Sequence, residues 1–223
     1  SSIYGDHGTS VAGIIAADGF NKIGSRGVAP DVGLIGSNFL ENQAYGNEAL
    51  ALGYGNHPNY DENLNNIVDI FNMSYGLGYG GQYSLGGTRL SNFENTYMEY
   101  GVSNLRSGKG ALYVKSSGNS WGGGCGPDGD IDMPCTEALS DPSSSSPYLI
   151  IVGALNANDV RSSYSTPGAG LWVAGYGGEY GQTDPAIMTT DQTSCDAGYA
   201  ATGAYTNDFE YGQNEENPDC NYT

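Results

Sequence analysis

The sequence predicts an α/β protein in which helices flank a parallel sheet. Three apolar runs have the length of buried strands, at residues 67–73, 111–114 and 148–154. They are apolar on both faces, which is typical of parallel strands covered by helices on either side. Segments with the helical spacing of small and apolar residues lie before and between these runs, and this alternation indicates an α/β sheet.

Composition limits the size and the partners of the protein. A chain of 223 residues is long enough to bury a core, and we expect a single domain over residues 1–223. The 25 acidic and 7 basic residues give a net charge of −18, which argues against nucleic acid and against an anionic membrane surface as partners. No apolar stretch is as long as the roughly 18 residues that a membrane-spanning helix needs.

The first helix is predicted over residues 7–17, where small and apolar residues follow His7. Backbone amides point outward at the start of a helix, and the helix dipole is positive there. A histidine in this turn can face a cleft at the edge of a sheet and act as a base, or it can be a structural or merely polar residue.

The remaining elements alternate between short strands and helices. They are a strand at 32–36, a helix at 47–53, a strand at 67–73, a helix at 90–105, and strands at 111–114, 148–154, 171–174 and 186–190. The glycines at 108 and 110 end the longest of these helices. The 36 glycines and 18 tyrosines indicate that tight turns and irregular loops connect the elements.

Two strand ends carry small and polar residues. The first set is Ser74, Tyr75 and Gly76, and the second is Ser116, Ser117, Gly118 and Asn119. Ligands bind at the carboxyl ends of parallel strands, and an extended polypeptide can add there as a further strand. The alternatives are a simple turn after the first strand and a left-handed turn residue at Asn119.

Four cysteines and a group of acids lie in glycine-rich loops. Cys125 and Cys135 form one close pair, and Cys195 and Cys220 form a later one. Neither spacing is that of a zinc site, so an even number of cysteines predicts two disulfides and an oxidising compartment.

Asp128 and Asp130 lie between the first two cysteines. Oxygen ligands in a glycine-rich loop suit calcium, and the alternative is an ordinary solvated acidic surface.

Three motifs, in this order, resemble those of the subtilisin-like serine proteases. His7 opens the string His-Gly-Thr-Ser-Val-Ala-Gly-Ile, which resembles the family's histidine motif. Residues 70–76, Ile-Phe-Asn-Met-Ser-Tyr-Gly, resemble its substrate-binding strand end, and residues 114–119, Val-Lys-Ser-Ser-Gly-Asn, resemble the strand end with its oxyanion asparagine. The resemblance implies a subtilisin-like sheet, His7 as general base and Asn119 as oxyanion donor.

The chain also departs from the family's pattern. The family's triad runs in the order Asp, His, Ser, yet only six residues precede His7 and no Gly-Thr-Ser motif follows Asn119. We therefore expect an internal piece of a protease domain, with the nucleophilic serine just beyond Thr223. Residues 189–191, Thr-Thr-Asp, are similar to the kexin-like branch, but the acids of that branch are absent from residues 77–89.

The resemblance implies a secreted serine endopeptidase that acts on polypeptides. Its expected partners are a propeptide or inhibitor and the remaining parts of the protease domain, and its expected cofactor is structural calcium. The main alternative is a non-catalytic module of the same fold that binds polypeptide or stabilises an assembly. A further alternative is an acidic, calcium-binding surface protein whose motifs arise by chance.

Overall fold

The computed structural model describes most of the chain, in two compact units. The described residues are 6–22, 24–76, 92–121, 124–125, 131–134, 137–181, 184–192, 198–199 and 222. One unit comprises Ser1–Asn38 and Gly178–Thr223, and the other comprises Phe39–Gly177. The prediction of one domain over the whole chain stays a prediction.

The unit Phe39–Gly177 is built on a parallel sheet, which confirms the predicted α/β class. Its strands are, in chain order, β1 (Ile70–Met73), β2 (Leu112–Ser116), β3 (Gly124–Cys125), β4 (Ile131–Pro134), β5 (Leu149–Leu155) and β6 (Val173–Tyr176). The main sheet has the order β1-β2-β5-β6, and all three of its pairings are parallel. Strands β3 and β4 form a separate antiparallel pair.

Within the described residues, three α-helices accompany this sheet, and a fourth, α1 (Asp6–Ala16), belongs to the smaller unit. Those of the larger unit are α2 (Tyr45–Ala51), α3 (Glu62–Asn65) and α4 (Asn92–Gly108). The backbone leaves helical geometry at the end of α4, where Arg106 and Ser107 have φ of 55° and 58°. In the described part of the chain, every helix is too short or too polar to cross a membrane.

Tyr113 on β2 lies at the centre of the core of the larger unit. Its side chain is fully buried, its ring stacks on Phe71 at a centroid distance of 4.7 Å, and its hydroxyl donates to the Leu52 carbonyl at 2.7 Å. A Cβ atom at Gly101 of α4 would collide with this hydroxyl, so glycine is required for helix and sheet to pack. A buried hydroxyl without such an acceptor is costly.

Helix α1 of the smaller unit lies close to the predicted range of residues 7–17. The returning chain satisfies the carbonyls at the end of this helix: the amides of Gly27 and Val28 donate to Ala17 and Ile14, each at 2.9 Å. A Cβ atom at Gly27 would lie 2.5 Å from the Ala17 nitrogen. The glycine of the Gly-Val-Ala-Pro string therefore lets the chain close over the helix end.

Two predicted strands are wrong. Residues 32–36 form no strand, and Leu34 is 53% exposed. Residues 186–190 make only an isolated bridge from Thr190 to Tyr222. Both segments have the apolar pattern of a strand, but a strand also needs a neighbour to complete its hydrogen-bonded ladder, and neither segment has a ladder partner within the described ranges.

The strand predicted at 67–73 begins later and is less buried than expected. β1 starts at Ile70, whose side chain is 57% exposed, and only Met73 is buried. β1 is more exposed because it is an end strand in the order β1-β2-β5-β6 and, within that sheet, has a neighbouring strand on one side only.

Candidate active site

His7 lies in the first turn of α1 and is exposed to solvent. The helix start leaves the first amides without intrahelical acceptors. Because the His7 side chain is exposed, its imidazole is accessible for proton transfer, as a general base requires.

The Thr-Thr-Asp segment packs directly against the first turns of the same helix. The Thr189 hydroxyl donates to the Ser10 carbonyl at 2.7 Å, and the Thr190 hydroxyl donates to the Thr9 carbonyl at 2.9 Å. A Cβ atom at Gly13 would collide with both threonines. Glycine in the histidine motif thus lets residues far along the chain reach the turn next to His7.

The two predicted strand ends meet at one edge of the sheet. Met73 of β1 is in register with Lys115 of the parallel strand β2, so Ser74 and Ser116 continue side by side. The predicted substrate-binding residues are therefore brought together at the carboxyl edge. They are Ser74, Tyr75 and Gly76 after β1, and Ser116, Ser117 and Gly118 at the end of β2. This edge is where open α/β sheets bind ligands.

Asn119 follows β2 with an exposed side chain and a fixed backbone. Thr166, which is buried, holds the two residues that flank Asn119. The Thr166 amide donates to the Gly118 carbonyl at 3.0 Å, and the Thr166 hydroxyl accepts from the Ser120 amide at 3.0 Å. Positive φ is found at Gly118, +97°, and not at Asn119. The alternative of a left-handed turn residue at Asn119 is therefore wrong.

A buried ion pair lies beneath the same edge. The Lys115 ammonium group contacts the Asp141 carboxylate at 2.9 Å and donates to the Tyr75 carbonyl at 2.7 Å. Burial alone would raise the pKa of Asp141, but hydrogen bonds from Ser143 and the charge of Lys115 outweigh burial and lower the pKa. Asp141 is therefore held as a carboxylate.

Two glutamates approach the half-buried side chain of Tyr75 from neighbouring helices. Burial raises the pKa of the Tyr75 hydroxyl well above its usual range, and the charges of Glu48, Glu94 and Asp141 raise it further. Burial also raises the pKa of Glu48 to about 7, with contributions from the charge of Glu94 and a hydrogen bond to it. Glu48 is therefore held protonated in the folded protein up to about pH 7.

The raised pKa of Glu48 makes the stability of the protein depend on pH. The pKa of Glu48 rises from 4.5 to about 7 on folding, so the folded chain holds a proton that the unfolded chain has lost between those values. The free energy of unfolding therefore falls as pH rises through this window. We expect Glu48→Gln to melt at a higher temperature than the wild type at pH 8, and at nearly the same temperature at pH 4.

The matched control is Glu99→Gln, which changes an exposed glutamate of α4. Thermal unfolding at both pH values measures the difference. An equal shift of the Glu48→Gln variant at pH 4 and pH 8 would contradict the raised pKa of Glu48.

Several predicted residues lie outside the described part of the chain. These are Asp128, Asp130, Cys135, Cys195 and Cys220, and for Cys125 only the backbone in β3 is described. Among the described residues, no three or more His, Cys, Asp or Glu side chains group to hold a metal. The calcium site and both disulfides therefore stay predictions.

Three residues that hold the segments after β1 and β2 in place were not predicted from the sequence. Lys115 had a signal, since a charged residue inside a buried strand needs a partner. Asp141 precedes a Pro-Ser sequence and caps the short helix that follows. That sequence pattern predicts a helix cap, but it does not predict that Asp141 pairs with Lys115. Thr166 has no signal of its own in the sequence.

The chain matches known proteases along most of its length. Residues 2–211 match the subtilase family. An extracellular serine protease of Aeromonas sobria is 34% identical over 230 residues, which cover 97% of this chain and 34% of that protein. A dibasic-processing endoprotease of Yarrowia lipolytica is 35% identical over 162 residues, which cover 71% of this chain and 14% of that protein.

The fold is also similar to that of a solved protease. The crystal structure of the Aeromonas sobria serine protease in complex with a chaperone has a TM-score of 0.76 and 33% identity, and the match covers 100% of this chain and 37% of that one. The chain thus spans about a third of the length of these Aeromonas relatives.

Proposed function

Because this chain belongs to the subtilase family, we propose that the protein is a secreted serine endopeptidase that hydrolyses polypeptides. The observation that carries the proposal is the match of 97% of the chain to an extracellular serine protease. The exposed position of His7 in the first turn of α1 supports the role of general base.

The chemistry assigns a role to each of the predicted residues. His7 takes the proton of the nucleophilic serine hydroxyl and later gives it to the leaving amine. The Asn119 amide donates to the oxygen that becomes negative when the serine attacks the carbonyl. The same chemistry needs an orienting aspartate and a nucleophilic serine, and no motif within residues 1–223 supplies either of them. The packing of Thr189 and Thr190 on α1 supports this layout, since the serine motif follows such a segment in the family.

The strand ends provide the place for an extended substrate. We propose that main-chain groups of Ser74–Gly76 and Ser116–Gly118 pair with the polypeptide on either side, as an added strand does. Exposed Gly76 leaves room for that approach.

We further propose a propeptide or a folding partner for the protein. The crystal structure of the Aeromonas relative contains a chaperone, and that protein is named as extracellular. A preference for basic substrate residues, as in the kexin-like branch, receives support from the Yarrowia relative named for dibasic processing, but the absence of acids from residues 77–89 argues against it.

Hydrolysis by the full-length polypeptide tests the proposal. We expect cleavage of casein and of short peptide anilides, and loss of both activities after treatment with phenylmethylsulfonyl fluoride. Binding of casein without cleavage would instead favour the non-catalytic module.

Calcium and disulfides are tested together on the same polypeptide. We expect a chelator to lower the melting temperature, because an ion that binds only the folded state stabilises it, and Asp128→Asn with Asp130→Asn to remove this effect. An unchanged melting temperature argues against calcium.

Peptide mapping without reduction should find Cys125 linked to Cys135 and Cys195 linked to Cys220. A Cys125–Cys195 link argues against this pairing.

A further inference from the structure

We infer that Lys115 is a positioning residue for polypeptide binding, because its buried ammonium group fixes the backbone at Tyr75 and Gly76 against Asp141. The inference rests on the proposed function, which places the substrate at this edge of the sheet. Lys115 itself has no expected contact with substrate and acts through the segment that it holds.

The ion pair is almost completely removed from solvent. The Lys115 side chain is 2% exposed and the Asp141 side chain is 11% exposed. One carboxylate oxygen of Asp141 contacts Lys115, and the other accepts from the Ser143 amide at 2.9 Å and from the Ser143 hydroxyl at 2.6 Å. Both charges are thus compensated, and a buried pair tolerates little variation in its geometry.

The third partner of the pair is the substrate-binding segment. Lys115 donates to the Tyr75 carbonyl at 2.7 Å, and hydrogen bonds from a charged donor are shorter and stronger than neutral ones. A Cβ atom at Gly76 would lie 2.6 Å from the Asp141 carboxylate and 3.0 Å from the Lys115 nitrogen. The backbone therefore runs directly over the ion pair, and glycine is needed for that approach.

This arrangement explains how an edge segment outside any strand is held in place. Residues 74–76 follow β1 without regular secondary structure, so no ladder fixes them. An added polypeptide strand binds best to a backbone that is already ordered, because less conformational entropy is then lost on binding. Lys115 supplies that order from below the sheet edge.

The test uses the full-length active protein, with two substrates of different reach. An extended peptide anilide is long enough to pair with the main chain of Ser74–Gly76, whereas p-nitrophenyl acetate is too small to reach this segment. We expect Lys115→Met to raise KM for the peptide about tenfold with nearly unchanged kcat, since the lost interaction serves binding equally in the ground and transition states. Turnover of the acetate ester should stay within about twofold of the wild type.

A double variant keeps the test decisive if Lys115→Met leaves Asp141 buried without a partner and fails to fold. In Lys115→Met/Asp141→Asn both charges are gone and the side chain at 141 still accepts from Ser143. Removing one member of a buried ion pair is strongly destabilising because the other charge is left buried without compensation, and the double variant leaves no such charge. We expect its melting temperature to return toward that of the wild type while KM for the peptide stays high. A purely structural role predicts that KM recovers together with stability.

Asp69→Asn is the matched control, because it breaks a different ion pair, Arg106–Asp69, just before β1. It should leave KM unchanged. Lys115→Arg should restore part of the lost affinity.

The outcomes separate the two proposals. If the wild type cleaves the peptide, His7→Ala does not, and the double variant has the wild-type KM, the inference about Lys115 is overturned and the proposed function stands. If the wild type does not cleave the peptide, or if His7→Ala still does, the proposed function itself fails.

Discussion

His7→Ala in the full-length protein should reduce kcat by about 10⁴–10⁶-fold, the size of loss seen when a triad member is removed from subtilisin, a relative of this chain. Without the imidazole the serine hydroxyl keeps its proton and is a poor nucleophile. Because His7 is exposed, its truncation leaves no cavity, and we expect an unchanged melting temperature. Steady-state hydrolysis of a peptide anilide together with thermal unfolding measures both effects.

The matched control is His57→Ala, which removes the other histidine of the sequence. His57 lies in a loop and accepts a hydrogen bond from the Asn59 amide at 3.2 Å. It should leave kcat within about twofold of the wild type. Near-normal activity of His7→Ala, or an equal loss in both variants, contradicts the role assigned to His7.

Asn119→Leu should lower kcat by about 10²–10³-fold with little change in KM, the loss known for the equivalent donor of subtilisin. The negative oxygen exists only after the serine attacks, so a donor to that oxygen stabilises the transition state and not the bound substrate. The backbone at Asn119 is fixed through Gly118 and Ser120 by Thr166, and we therefore expect the turn to survive the substitution. Steady-state kinetics with the peptide anilide separates kcat from KM.

Asn158→Leu serves as the control, because this asparagine is also exposed and also lies in a turn after a strand. It should have wild-type kinetics. A rise in KM at constant kcat in Asn119→Leu would assign Asn119 to substrate binding and remove it from the oxyanion site.

Strand ends were predicted well because their signal is local. The apolar runs before Ser74 and Ser116 mark parallel strands, and parallel strands bring their carboxyl ends to one edge. The position of His7 at a helix start is equally local. The sequence alone therefore predicts that His7 lies at a helix start and that the two strand ends lie at the carboxyl edge of the sheet. The register of Met73 with Lys115 places the two strand ends side by side at that edge.

The contacts that hold these groups depend on distant segments and were not predicted. The bond from Lys115 to Asp141 forms only when the segment before a short 3₁₀ helix packs beneath β2. The same holds for Thr166, whose two bonds fix the Asn119 turn. Residues 32–36 show the converse error, since an apolar pattern predicted a strand that has no ladder partner in the described part of the chain.

Covalent labelling with a fluorophosphonate probe, followed by mass spectrometric mapping of the labelled residue, tests the central claim most directly. The claim is that His7 activates a nucleophilic serine of the full-length protein. In the full-length protein we expect one labelled serine within a Gly-Thr-Ser sequence after residue 223, with labelling lost in His7→Ala and retained in His57→Ala. No labelling of the wild type, or labelling that persists in His7→Ala, would contradict the account.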